Sequence, residues 1–182
     1  MAERSGLDAG FPLIPDSARK ELKTDTGGAI NMSDILPMDA IELGAEADSW
    51  SMAVARAGEL LVKAGIAEER YISAMIDMVN KHGSYMVVAP GVAMPHSHSD
   101  KGVIRSGVSF LRLTKPVYFP GKEDQPIYLL IAVAARDNTA HLDLMGNVAA
   151  MISDDSSLAK VMSCSSVEEI YTMMNKAEDT DG

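Results

Sequence analysis

The sequence predicts an α/β fold, a mixed β-sheet flanked by helices on both sides. Three observations carry that expectation. Two segments of helical apolar period, ending near Ala64 and Lys81, come first. A group of short apolar segments follows, closing on the continuous run Ile127 to Ala134, the pattern of a strand buried on both faces. Three more helical segments complete the chain, and a helix–strand–helix order of this kind packs as layers.

The elements follow in order. Residues 1–32 hold four glycines, two prolines and scattered charges without sustained period, and read as an N-terminal extension, flexible or an added leader, with a short helix conceivable over Asp16 to Leu22. The folded domain is expected over residues 33–178, with regular structure from near Ile35. Asp48 or Ser49 caps a helix to about Ala64 whose stripe is Val54, Ala57, Leu60 and Leu61, and Gly65 fits its stop. A second helix runs from about Glu68 to Lys81 on Ile72, Met75, Ile76 and Val79, closed by Gly83.

Strands are expected at Tyr85 to Ala89, Gly107 to Leu113, Pro116 to Phe119 and Ile127 to Ala134, with Gly121 to Gln125 as a turn. In the second of these, Val108 and Phe110 face one way and Leu111 and Leu113 the other. Asn138 or Thr139 caps the next helix, which carries His141, Leu142, Met145, Val148 and Ile152. Asp155 or Ser156 opens a short helix over Leu158 to Met162. Ser166-x-x-Glu169 is a capping box for a last helix with Val167, Ile170 and Met174 inward.

The whole-chain properties narrow the function. The 182 residues suffice for one domain with a sizeable core, and 47% hydrophobic with 23% charged residues is ordinary for a soluble protein. A formal charge of −10 disfavours nucleic acid and anionic membrane, and suits docking on a basic protein surface. Cys164 is the single cysteine, so neither an intramolecular disulfide nor a multi-cysteine zinc site is available. No run approaches the roughly 18 apolar residues of a membrane span, and no secretory signal is evident. The expected location is cytoplasmic.

The most informative segment is Ala89-Pro90-Gly91-Val92-Ala93-Met94-Pro95-His96. Proline fixes its own φ and pushes the preceding residue to extended backbone, so His96 is held on a constrained strand end. Imidazole is a neutral nucleophile that is also a possible cation near pH 7. A phosphoryl carrier, a metal ligand and a structural histidine all fit such a residue. His96 and His98 are spaced H-x-H, and a metal reading would recruit Asp100, His141 or Asp143. The alternative for His98 is a solvated loop residue. His141 begins a helix directly after a buried strand, where the helix N-terminus favours an anion. If both strands share a sheet and a direction, the imidazoles of His96 and His141 meet at one edge. The alternative is a helix-capping histidine without chemistry. No Gly-x-x-x-x-Gly-Lys, Gly-x-Ser-x-Gly or Gly-x-Gly-x-x-Gly signature supports a P-loop, a nucleophile elbow or a dinucleotide site.

From Ser33 to Lys176 the chain resembles the mannitol/fructose-type enzyme IIA domains of the bacterial phosphoenolpyruvate-dependent sugar phosphotransferase system (PTS EIIA type-2). Pro90-Gly91-Val92-Ala93-Met94-Pro95-His96 is similar to that family's Gly-(Ile/Val)-Ala-(hydrophobic)-Pro-His signature. Leu130 to Asn138 followed by His141 resembles its strand leading to a supporting histidine. Ala89-Pro90-Gly91 and Val117-Tyr118-Phe119-Pro120-Gly121 look most like the stand-alone ascorbate-type and cryptic mannitol-type members.

The resemblance implies the mannitol-type enzyme IIA fold. It also implies a phosphotransferase component in which His96 takes a phosphoryl group from phospho-HPr and passes it to an enzyme IIB cysteine. His141 would support that site, with the membrane IIC permease downstream and neither metal nor cofactor required. A regulatory, nitrogen-type module phosphorylated on the same histidine is the alternative. Three departures stand out. Ile76 to Asn80 lacks the arginine of mannitol-type members, for which Arg105 or Arg136 is a substitute candidate. Ser97 follows the histidine where the family often has glycine or alanine. Cys164 lies in no enzyme IIB motif.

Overall fold

The computed structural model describes residues 35–176. The possible helix over Asp16 to Leu22 and both expected domain boundaries lie outside them. The described chain forms β1 (Ile41–Ala45), α1 (Trp50–Lys63), α2 (Arg70–His82), β2 (Val87–Ala89), β3 (Val92–Ala93), β4 (Gly107–Phe119), β5 (Lys122–Ala134), α3 (Asn138–Met151), α4 (Asp155–Ser163) and α5 (Val167–Lys176). One mixed sheet runs in the order β1-β4-β5-β3-β2. β1 is parallel to β4 and β3 is parallel to β5, while β4–β5 and β2–β3 are antiparallel.

The sheet divides the core in two. On one side Leu130, Ala132 and Ala134 of β5 and Leu111 and Leu113 of β4 pack on α1 and α2 through Val54, Ala57, Leu61, Tyr71, Met75 and Val79. On the other, Leu129, Ile131 and Val133 with Val108 and Phe110 pack on Leu144, Val148, Val161, Ile170 and Met174 of α3, α4 and α5. The expected split of β4 into two faces is therefore realised, and β5 is apolar on both sides because both are covered. The fully buried Ser109 hydroxyl donates to the Ala57 carbonyl at 2.7 Å, so its polarity is satisfied.

Several boundaries differ from expectation for identifiable reasons. β1 has no counterpart in the sequence reading, because Glu42 and Gly44 interrupt its apolar pattern. Gly44 takes φ +78° where the register shifts between Leu43 and Ala45. The expected strands Gly107 to Leu113 and Pro116 to Phe119 are one strand, β4, with its register broken between Arg112 and Val117. Pro116 has no N–H for a ladder and is tolerated at such an irregularity. The expected turn Gly121 to Gln125 shrinks to the tight connection at Pro120 and Gly121, since Lys122 already pairs with Phe119. Its polar residues form a solvated strand arm rather than a loop.

Caps also shift by one residue. Ser49 caps α1 by accepting from Met52 N–H. Asp137, rather than Asn138 or Thr139, caps α3, and Asp154, rather than Asp155 or Ser156, caps α4. In the capping box Ser166 Oγ accepts from Glu169 N–H at 3.2 Å, whereas the Glu169 carboxylate accepts from Ser165 N–H at 3.0 Å.

β4 begins where the chain is tightest. A Cβ on Gly107 would lie 2.9 Å from the Ile35 carbonyl oxygen and 2.8 Å from Ile66 Cδ1. Gly107→Ala is expected to destabilise the protein by about 1–3 kcal/mol, because backbone cannot yield as a side chain can. Urea melts of the two proteins check this, and an unchanged midpoint would contradict it. Among the described residues no helix is long and apolar enough to cross a membrane.

Candidate functional site

β5 organises the site. β3 runs parallel to it in the register Val92↔Leu129 and Ala93↔Leu130, and the pairing resumes at His96↔Val133. The turn before β3 uses Pro90 and Gly91, the latter at φ +80°, which suits positions i+1 and i+2 of a type II turn. From there the backbone is tied on both sides. Met94 N–H donates to Met86 C=O at 2.8 Å, and Val133 N–H donates to Pro95 C=O at 2.8 Å. Pro95 has no N–H to satisfy and is itself buried. The expectation of a constrained strand end is met.

The His96 ring turns back on this segment. Its Nδ1 lies 2.8 Å from the Met94 carbonyl oxygen. A carbonyl only accepts, so Nδ1 carries the proton and Nε2 holds the free lone pair. The ring is half-buried, neither sealed in the interior nor free in solvent.

His141 arrives at the same, carboxyl end of β5. That strand stops at Ala134, Asp137 caps α3 through Ala140 N–H at 2.8 Å, and His141 lies in the first turn. The two imidazoles come within 5.2 Å, centroid to centroid, with planes at 50°. Two histidines 45 positions apart in sequence thus meet because one strand pairs with the segment of the first and feeds the helix of the second.

A third ring completes the cluster. Tyr85 stands edge-on to His96 at 5.4 Å and 86°, and His82 stands edge-on to Tyr85 at 6.1 Å. Tyr85 remains 41% exposed, and Leu142, next to His141, is 61% exposed. The site is therefore open to solvent beside Tyr85.

Tyr71 supports the segment from beneath. Buried in the first turn of α2, its hydroxyl accepts from Ser97 N–H at 2.9 Å and donates to Val133 C=O at 2.8 Å. The Ser97 carbonyl lies at 3.1 Å. Burial pushes this phenol up to about 12, so it is an uncharged hydroxyl at any ordinary pH.

The sequence reading gave neither tyrosine a place in the site. Tyr71 was findable, since it lies four residues before Met75 and eight before Val79 on the apolar face of α2, and a buried tyrosine hydroxyl needs a partner. Tyr85 carried no such signal; it reads as the first residue of a strand, and the strand begins two residues later.

The remaining candidates are placed as follows. His98 is exposed and precedes the short turn Ser99–Lys101. Among the described residues no three His, Cys, Asp or Glu side chains are grouped so as to hold a metal ion. The Arg105 guanidinium donates to the Ala64 carbonyl at the end of α1. Arg136 is exposed, and its N–H donates to Ser106 Oγ at 3.1 Å. The charges that bear on His96 are those of His141 and His98.

Burial holds His96 below the usual imidazole range, against the opposing Met94 hydrogen bond, and the nearby His141 and His98 push the same way. Burial also lowers His141. Both rings thus stay neutral to lower pH than free imidazole, which keeps a lone pair available on Nε2 of His96. The consequence for stability has a definite sign. As pH falls past about 6.5, the unfolded chain takes up protons first, so stability is lost progressively down through the two folded-state midpoints. Urea melts at pH 8 and pH 5.5 should show this loss, and a variant lacking both histidines should show less of it. Equal slopes would contradict the assignment.

Comparisons with known proteins place the chain as a whole. Residues 34–177 match the family described as "Phosphoenolpyruvate-dependent sugar phosphotransferase system, EIIA 2". The chain is 33% identical over 138 residues to the ascorbate-specific PTS system EIIA component of Shigella boydii serotype 4, covering 75% of this chain and 90% of that protein. The structure is similar to the mannitol-specific cryptic phosphotransferase enzyme IIA CmtB of Escherichia coli, with TM-score 0.73 and 30% identity over 81% of this chain and 99% of that one. It is similar also to mannitol enzyme IIA as solved in complex with phosphorylated mannitol enzyme IIB from Escherichia coli, with TM-score 0.66 and 29% identity over 75% and 94% of the two chains.

Proposed function

Since the chain belongs to the EIIA 2 family of the phosphoenolpyruvate-dependent sugar phosphotransferase system, we propose that His96 is its phosphoryl-carrying residue and His141 the group that steadies the transferred phosphoryl. The observation that carries this reading is the 5.2 Å approach of the two rings with His96 Nε2 left open.

The chemistry is an in-line displacement at phosphorus, in which a protein contributes positioning and charge stabilisation. Nε2 of His96 attacks the phosphorus of the phosphohistidine on HPr. The Nε2–P bond forms while the donor's N–P bond breaks, and that electron pair returns to the donor nitrogen. Attack leaves positive charge on the His96 ring, which the Met94 carbonyl stabilises through Nδ1–H. His141 donates a hydrogen bond to a phosphoryl oxygen. In the second transfer the thiolate of an enzyme IIB cysteine attacks the same phosphorus. The S–P bond forms, the Nε2–P bond breaks, and its electron pair reverts to Nε2. Residues of this chain supply all of these contacts, so the reading calls for no metal.

Tyr85, exposed and edge-on to His96, supplies the rim on which HPr and enzyme IIB dock and which excludes water from the phosphohistidine. The membrane IIC permease acts further along the relay, and this chain works with HPr in the cytoplasm. The similarity to relatives named as ascorbate-specific and mannitol-specific favours transport over a purely regulatory role.

The test is reconstitution with phosphoenolpyruvate, enzyme I and HPr, followed by mass spectrometry. The expected product carries one phosphoryl group on His96, and addition of the cognate enzyme IIB removes it. Absence of uptake, or a label elsewhere, would overturn the reading.

A further inference from the structure

We infer that Tyr71 is a positioning residue whose hydroxyl sets the spacing between β5 and the strand end bearing His96, and so the direction of His96 Nε2. The inference rests on the reading of His96 as the phosphoryl carrier. Its basis is the hydrogen-bond pattern around His96↔Val133. In a parallel ladder the residues flanking a paired position bond to the two polar groups of its partner. On one side this happens directly, with Val133 N–H donating to Pro95 C=O at 2.8 Å. On the other side the rung would run from Ser97 N–H to Val133 C=O. The Tyr71 hydroxyl lies between them, 2.9 Å from the first and 2.8 Å from the second.

The two strands are thus bonded directly just before His96, and just after it the Tyr71 hydroxyl bonds to both. The hydroxyl therefore fixes where the chain leaves β5, beside the residue that carries the imidazole. The ring is tethered to Met94 by a hydrogen bond on the near side, so its direction follows the backbone it hangs from. The hydroxyl accepts from Ser97 N–H and donates to the nearer carbonyl, that of Val133 at 2.8 Å, with the Ser97 carbonyl at 3.1 Å. As a neutral phenol it spaces them without adding charge beside a phosphoryl dianion.

Without this oxygen the two backbone groups either remain buried and unpaired or close on each other. Either outcome moves Ser97 and with it His96. Displacements near 1 Å cost a positioned reaction about 100-fold.

Tyr71→Phe keeps the ring in the core and removes only the oxygen. Phosphorylation by phospho-HPr is expected to slow by about 10- to 100-fold in kcat with KM little changed, because the docking rim is untouched. The His96 imidazole resonances of the unphosphorylated protein should shift as well. Met75→Ala, a truncation on the same buried face of α2, should lower stability and leave kcat at the parent value well below its melting temperature. Site-specific 3-fluorotyrosine at position 71 keeps the hydroxyl and should restore the rate.

Parent kcat and unshifted His96 resonances in Tyr71→Phe would overturn the inference, as would an equal loss of kcat in Met75→Ala. Hydrogen exchange of the Ser97 amide in the unaltered protein reads the same contact without any variant. Protection supports it, and exchange at the rate of a solvated amide overturns it. Should the unaltered protein take up no phosphoryl group, the carrier reading fails, and the resonance shift and the amide exchange still decide the spacing.

Discussion

His96→Ala is expected to abolish phosphoryl uptake while the protein stays folded. The ring is half-buried at the edge of the sheet, and its one hydrogen bond returns to its own segment, at Met94. Its removal leaves the ladder from Val92 to Pro95 in place, since those bonds are backbone to backbone. Stability should change by about 1 kcal/mol. Uptake should fall by something on the order of 10⁶-fold, the scale seen when a reaction loses its nucleophile. His141 is the informative control, because its ring occupies the same pocket. A residual label on His141 in the His96→Ala protein would show that the pocket receives the phosphoryl group without His96 being its obligatory acceptor. An undiminished rate of labelling would remove His96 from the mechanism.

His141→Ala is expected to slow transfer without ending it. The attacking lone pair on His96 survives, and what is lost is a donor aimed at charge that develops on the phosphoryl oxygens. Loss of one such donor costs about 10²–10³-fold. The effect should fall on kcat for both the uptake step and the step to enzyme IIB, since one oxygen is held in both. His141→Gln keeps an N–H donor and should recover part of the rate. A His141→Ala protein with parent rates in both directions would reduce His141 to a bystander in the first turn of α3.

Much of the architecture is legible in the sequence where one physical cue dominates. Ile127 to Ala134 reads as a strand because two covered faces demand unbroken apolarity, and Val54 to Leu61 reads as a helix because one covered face demands period 3.6. The meeting of His96 with His141 follows from their positions after neighbouring strands of like direction. Legibility fails where cues compete. β1 is short, carries Glu42 and bends at Gly44, so nothing local marks it, and its pairing with β4 is a tertiary fact. The arm of β5 from Lys122 to Gln125 is polar because it faces water, and polarity alone mimics a turn. Tyr71 was hidden for a different reason. Helical period places it in the core, yet its role depends on a hydroxyl reaching a backbone 26 and 62 residues away.

The back-bond from His96 Nδ1 to Met94 has an outcome for traffic through the site. With one ring nitrogen occupied by the protein's own backbone, a single nitrogen is left for visitors. If His96 is the carrier proposed above, the protein that brings the phosphoryl group and the one that removes it call in succession at the same spot, each departing before the next arrives. A relay built this way resists short-circuiting, because the two ends of the chain of custody never stand together at the exchange point.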